Sequence, residues 1–266
     1  MKSLLAAGVL LAVGCSPDES SLVKPPVAKP LETWTEGGFR TRMDGPSLSA
    51  DARLRRAEEL VQKERLAEAA AEYRELLNKD PNDVGALVGL SRVASRMGDA
   101  TSSLVFITRA VEARPKDAPL MNEQAVALIS NGRRKEAAAL FDRAAELSPQ
   151  DASILINASL NWADLNDWEK ARRSAERAAE KIPNDLYPWL LLGRFQVRQG
   201  KHAEAIPYFR EASRRGPDNA LVHYHLGKAL IAAGKRAEAG DPLRIVLRAN
   251  PPAEIRKEVE ALLAPP

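Results

Sequence analysis

Pro81, Pro115, Pro149, Pro183, Pro217 and Pro251 stand 34 residues apart at every interval. A proline biases the residue before it out of the helical region, so this ladder marks the same stop six times in one register. A chain of that kind is one supersecondary unit copied in tandem. No single copy buries its own apolar face, so the copies must stack. With proline as position 32, the units begin at Ala50, Val84, Ala118, Ala152, Leu186 and Ala220. They occupy 50–83, 84–117, 118–151, 152–185, 186–219 and 220–253.

Positions inside the unit agree with a helix–turn–helix. Position 8 holds Ala57, Ser91, Ala125, Ser159, Gly193 and Gly227, and position 20 holds Ala69, Ser103, Ala137, Ala171, Ala205 and Ala239. Small residues at both places let two antiparallel helices approach closely. Position 24 holds Tyr73, Ile107, Phe141, Ala175, Phe209 and Leu243, which fill the space between units. Ala175 is undersized, and Trp162 in the same unit is expected to supply the missing volume, because cores tolerate swaps that conserve it. The turn needs a residue tolerant of left-handed backbone; Gly98, Gly132, Gly200, Gly234 and Asn166 suit it, while Glu64 is the misfit.

These spacings and residue classes resemble the tetratricopeptide repeat family across residues 50–253. The resemblance implies an all-α fold, a right-handed superhelical solenoid of six helix pairs. Arg53 and Arg56 make the first helix polar, as an end cap requires. Pro207 and the Gly240–Pro242 stretch are expected to bend their helices without breaking them. Ile255, Val259, Leu262 and Leu263 recur at helical spacing, so residues 254–266 are read as a C-terminal cap, with the helix itself over Ala253–Leu263.

The amino-terminal region has another texture. Lys2 precedes a short apolar stretch, Ser3–Gly14, which is shorter than the roughly 20 residues a membrane-spanning helix needs. Residues 1–14 therefore read as a secretory signal. Gly14 directly before Cys15, the only cysteine, resembles the bacterial lipobox, although the usual leucine three places earlier is here Ala12. The resemblance implies cleavage before Cys15 and a lipid on its thiol. Ser16, in place of an aspartate, points to the outer membrane by the same likeness. Acyl chains bury about 0.8 kcal/mol per CH₂, and several together anchor a protein without a transmembrane helix. Residues 15–49, rich in Pro and Gly, then form a tether with a span of roughly 30 Å, in which Trp34 and Phe39 are either incidental or docked.

Composition excludes much chemistry. One cysteine and three histidines leave little for a zinc site or a disulfide. His223 and His225 are two apart and point to roughly opposite sides of a helix, so they do not share a metal, and His223 is expected in the core. Acidic pairs such as Asp164 and Asp167 lie among balancing Arg and Lys and read as solvated faces. No catalytic residue, metal or cofactor is nominated, and the chain is not read as an enzyme. A formal charge of +3 spread over 266 residues argues against nucleic acid.

Function is left to surface. In the tetratricopeptide family the first helices line a concave groove, and the resemblance assigns positions 2, 5, 9, 12 and 13 to it. Leu54, Val88, Ile156, Leu190 and Tyr224 stand at position 5, Ile129, Val197 and Ile231 at position 12, Tyr187 at position 2 and Leu160 at position 9. The cations there are Arg92, Arg96, Arg194, Arg198 and Lys228. An apolar floor with guanidinium groups predicts a protein partner presenting an amphipathic, acidic segment. A chaperone-type carboxylate clamp is not matched. Signal, tether and repeats together are similar in architecture to type IV pilus pilotins, periplasm-facing outer-membrane lipoproteins needed for secretin assembly and so for motility. That resemblance implies a secretin as partner; an adaptor for peptidoglycan hydrolases or polysaccharide export is the alternative.

Overall fold

The computed structural model describes residues 48–264. The signal, Cys15 and the tether with Trp34 and Phe39 lie outside the described residues. Within them the chain is thirteen α-helices and no strand, in two compact units that divide at Ser148 and Pro149. The first unit holds α1 (Ala50–Gln62), α2 (Leu66–Lys79), α3 (Val84–Arg96), α4 (Ala100–Ala113), α5 (Ala118–Ser130) and α6 (Arg134–Leu147). The second holds α7 (Ala152–Asp164), α8 (Trp168–Lys181), α9 (Tyr187–Arg198), α10 (His202–Arg215), α11 (Ala220–Ala232), α12 (Arg236–Arg248) and α13 (Ala253–Leu263). No helix among the described residues is long and apolar enough to cross a membrane.

Local chemistry sets these ends. Ser49, Asp83, Asp117, Asp151 and Asn219 precede α1, α3, α5, α7 and α11, and each side chain accepts a hydrogen bond from a backbone N–H of the first turn. Such caps satisfy donors that the helix itself leaves unpaired. At the inner turns Gly98, Gly132, Gly200 and Gly234 take φ between 75° and 78°. Asn166 does the same at 61°, and Glu64, which the sequence marks as a misfit, is held at 55°. A non-glycine residue there costs about 1 kcal/mol or more.

The position-24 side chains fill the core as the repeat requires, with Phe141, Phe209, Ile107 and Leu243 wholly buried. Close approach explains the small residues opposite them. A Cβ on Gly193 would sit inside the van der Waals envelope of the Phe209 ring, and one on Gly89 inside that of Tyr73. Ala175 lies in one buried cluster with Leu191, Leu192 and Phe195, and Trp162 is among the partly buried residues packed against that cluster. Helices α10 and α12 run unbroken through Pro207 and Pro242. Val259 of α13 is wholly buried, and Ile255, Leu262 and Leu263 pack on the cluster formed by α9–α12.

The polar first helix has a partner that the sequence reading does not name. Arg53 Nη1 donates to Glu72 of α2 at 2.6 Å and Arg56 Nε lies 3.3 Å from the same carboxylate, itself only 6% exposed. The pair of Arg53 with Glu72 is largely shielded while Arg56 stays exposed, and removing one partner of a shielded pair is costly.

Candidate partner-binding face

The odd-numbered helices carry every residue expected to line a groove. In the first unit Leu54 of α1 and Val88 of α3 are half-buried, Arg92 and Arg96 of α3 are exposed, and Ile129 of α5 is buried. In the second, Ile156 of α7 is half-buried, as are Tyr187, Arg194 and Val197 of α9 and Ile231 of α11, while Arg198 and Lys228 are exposed. Leu160, Leu190 and Tyr224 are buried, Leu190 to 1% exposure. Ile129, Leu160, Leu190 and Tyr224 thus brace the face from below. For Leu160, Leu190 and Tyr224 the physical reason is that consecutive odd helices of the second unit touch, α7 on α9, α9 on α11 and α11 on α13, so part of each stripe is consumed by packing.

The cations are tied down more than their repeat positions suggest. Arg92 reaches across from α3 to Glu123 of α5, an ion pair that holds its guanidinium above the ordinary arginine value. Arg96 Nη1 donates to the Val61 carbonyl and to Glu64, each at 3.1 Å. Arg198 lies 3.3 Å from Asp164 of α7 and 5.0 Å from the centre of the Trp168 ring. Lys228 Nζ is 2.8 Å from Glu258 of α13, and the Tyr224 hydroxyl donates to the same carboxylate at 2.7 Å. Burial acts to raise the Glu258 carboxyl, but the hydrogen bonds from Lys228 and Tyr224 prevail and hold it below its ordinary value. Arg194 alone of the five expected cations has no ion pair among the described residues. Its charge is felt by Tyr187, whose hydroxyl is pushed up by burial and drawn part of the way back by Arg194.

Glu123 and Glu258, the carboxylates that neutralise two of these cations, are not nominated by the sequence. A signal for them exists: each lies 31 or 30 residues after a position-9 cation, at the matching turn of the next odd helix. Trp168 and its contact with Arg198 carry no such periodic signature. The histidines act separately, His223 Nε2 lying 2.7 Å from the Pro217 carbonyl and His225 stacking on Phe209 with ring centres 5.7 Å apart. Among the described residues no group of three or more His, Cys, Asp or Glu side chains is placed to hold a metal.

The tetratricopeptide repeat family model matches residues 41–84, 54–118, 88–152, 163–220 and 190–254. Among solved structures, PilW, a type IV pilus biogenesis factor, superposes with a TM-score of 0.69 at 19% identity, covering 81% of this chain and 98% of its own. Pseudomonas aeruginosa PilF gives 0.65 at 18% identity, covering 80% of this chain and 96% of its own. YrrB, described as a TPR protein with an unusual peptide-binding site, gives 0.55 at 19% identity and covers 65% of this chain and 90% of its own. At such identities the likeness is one of fold. Domains of this kind bind protein partners and are typically non-catalytic scaffolds. With family matches spread over all six copies of the 34-residue unit, the chain belongs to the tetratricopeptide repeat family.

Proposed function

We propose that the chain is an envelope scaffold, anchored to the outer membrane through lipid on Cys15, that captures a protein segment on its odd-helix face and assists assembly of the type IV pilus secretin. The observation that carries the binding part is the half-buried apolar surface of Val197, Tyr187 and Ile231 beside a cation, Arg194, that has no ion pair. Apolar area supplies affinity, and an arginine selects a carboxylate bidentately. The pilus part is supported by fold-level likeness to PilW and PilF and by the signal-like amino terminus. Held at the membrane, the scaffold raises the local concentration of the subunits it captures, which favours a multimer without any catalytic step.

Capture of the tagged chain from crosslinked, detergent-solubilised envelopes, with Cys15→Ala alongside, tests this. Enrichment of a secretin, lost or displaced in the Cys15→Ala variant, is the expected result. Enrichment of hydrolases or export proteins would transfer the scaffold to another machine. A detergent-resistant secretin multimer that survives deletion of the chain would remove the assembly role.

A further inference from the structure

Three position-9 cations occur on the odd helices, Arg92 on α3, Arg194 on α9 and Lys228 on α11. Two of them close a rung to the next odd helix, Arg92 to Glu123 and Lys228 to Glu258. The same step from Arg194 leads to Tyr224 at 30 residues and His225 at 31, neither of which is a carboxylate. His225 stacks on Phe209 and meets Tyr224 edge-on, with ring centres 5.7 and 5.6 Å away. Within the second unit, then, α9 offers one half of a rung and α11 does not supply the other.

We infer that the missing carboxylate comes from the partner: an Asp or Glu side chain of a captured peptide segment seats on Arg194 and completes the rung between α9 and α11. Charge complementarity in a repeated geometry selects this occupant. Arg92 pairs with Glu123 of the next odd helix and Lys228 with Glu258, so a position-9 cation on this face reaches a carboxylate placed 30 or 31 residues onward. Arg194 is half-buried, which strengthens a charge-assisted hydrogen bond over a fully solvated pair. Tyr187, two turns earlier on α9, and Val197, one turn later, flank it with the apolar surface that the rest of the segment would cover. Arg198, Lys228, Arg92 and Arg96 are not assigned this role, because an incoming acid would have to displace one that is already bound.

The inference rests on the odd-helix face being the capture site, and the experiment separates the two. A random nonapeptide library is selected on the full chain, and the winning peptides are measured by fluorescence anisotropy on the folded variants. The expected winners carry one acidic residue at a fixed place, and changing it to its amide weakens binding about tenfold. Arg194→Gln has the same effect, Arg194→Lys restores part of it, and Arg198→Gln changes affinity less than Arg194→Gln does. His225→Glu, which supplies the rung from within, lowers peptide affinity in the native background and has little effect with Arg194→Gln. That cycle cancels whatever His225 contributes by stacking. Peptides that bind equally to Arg194→Gln, or that share no acidic position, overturn the inference and leave the scaffold reading intact. A library from which nothing is enriched removes both. Arg194-dependent binding of anionic-lipid vesicles in place of peptides assigns the cation to a membrane surface and overturns the inference as well.

Discussion

Arg92 and Arg194 occupy the same place in the repeat, two turns into an odd helix, yet one is locked and the other is open. In the first unit Glu123 closes the pair, and the neighbouring Arg96 is held by Glu64 and a backbone carbonyl. In the second unit Arg194 stands without an ion pair among half-buried Tyr187 and Val197, although Arg198 one turn on is held by Asp164 and Trp168. A repeat protein with one geometry thus distributes its roles by the residues that face the geometry. In the first unit both face cations join helices, and in the second Arg194 has no ion pair among the described residues.

That contrast presumes that both faces rest on the same close helix approach, and the largest predicted effect tests it. Gly193→Ala and Gly89→Ala drive a methyl group into Phe209 and Tyr73, and each should destabilise the fold by about 1–3 kcal/mol in urea titrations followed by circular dichroism. Combining Gly193→Ala with Phe209→Leu should recover part of the loss; a neutral Gly193→Ala would show that the helices separate at no cost. Next in size is the binding contrast. Arg194→Glu with Arg198→Glu should abolish partner capture with helix content unchanged, since both lie on one helix face, whereas Arg92→Gln should leave capture within about twofold.

Two smaller effects sharpen the closed rungs. The Glu258 carboxyl is held below its ordinary value, so its contribution is full above the unfolded carboxylate pKa and is lost as pH falls through the folded one. Thermal melts taken across the acid range should show part of the stability loss disappearing in Glu258→Gln; identical pH profiles would deny that the cap is pinned by Lys228 and Tyr224. Smallest is Arg92→Gln in unfolding experiments, at most about 1 kcal/mol, because its pair with Glu123 is solvent-exposed on the arginine side and therefore screened. A larger loss would mean that the rung carries the unit.

The repeat was open to reading because six prolines, five left-handed turn residues and a column of small residues each report the same spacing. Backbone needs of that kind are local, so they are written in the residue that meets them, as at Gly200 or Asn166. The misfit Glu64 shows the limit: it takes a φ of 55° in a turn closed by Arg65 N–H on the Leu60 carbonyl, the same closure that Asp99 makes beside Gly98, and its residue type does not reveal this. The face was legible in outline but not in its electrostatics. Arg92, Arg194 and Lys228 look alike in sequence, and their difference lies in what stands 30 or 31 residues onward: Glu123, His225 and Glu258. Burial of Leu190 and Leu160 was hidden for a related reason, since a stripe at helical spacing does not say how much of it the next odd helix covers.

The most direct measurement installs a photo-crosslinking phenylalanine analogue at Val197, on the odd-helix face of the second unit, and at Arg244 on α12 as a control in the same unit. The account predicts an adduct in living cells from Val197 that is lost when Arg194→Gln is added, and none from Arg244. Equal adducts from both positions, or an adduct at Val197 indifferent to Arg194→Gln, would contradict it.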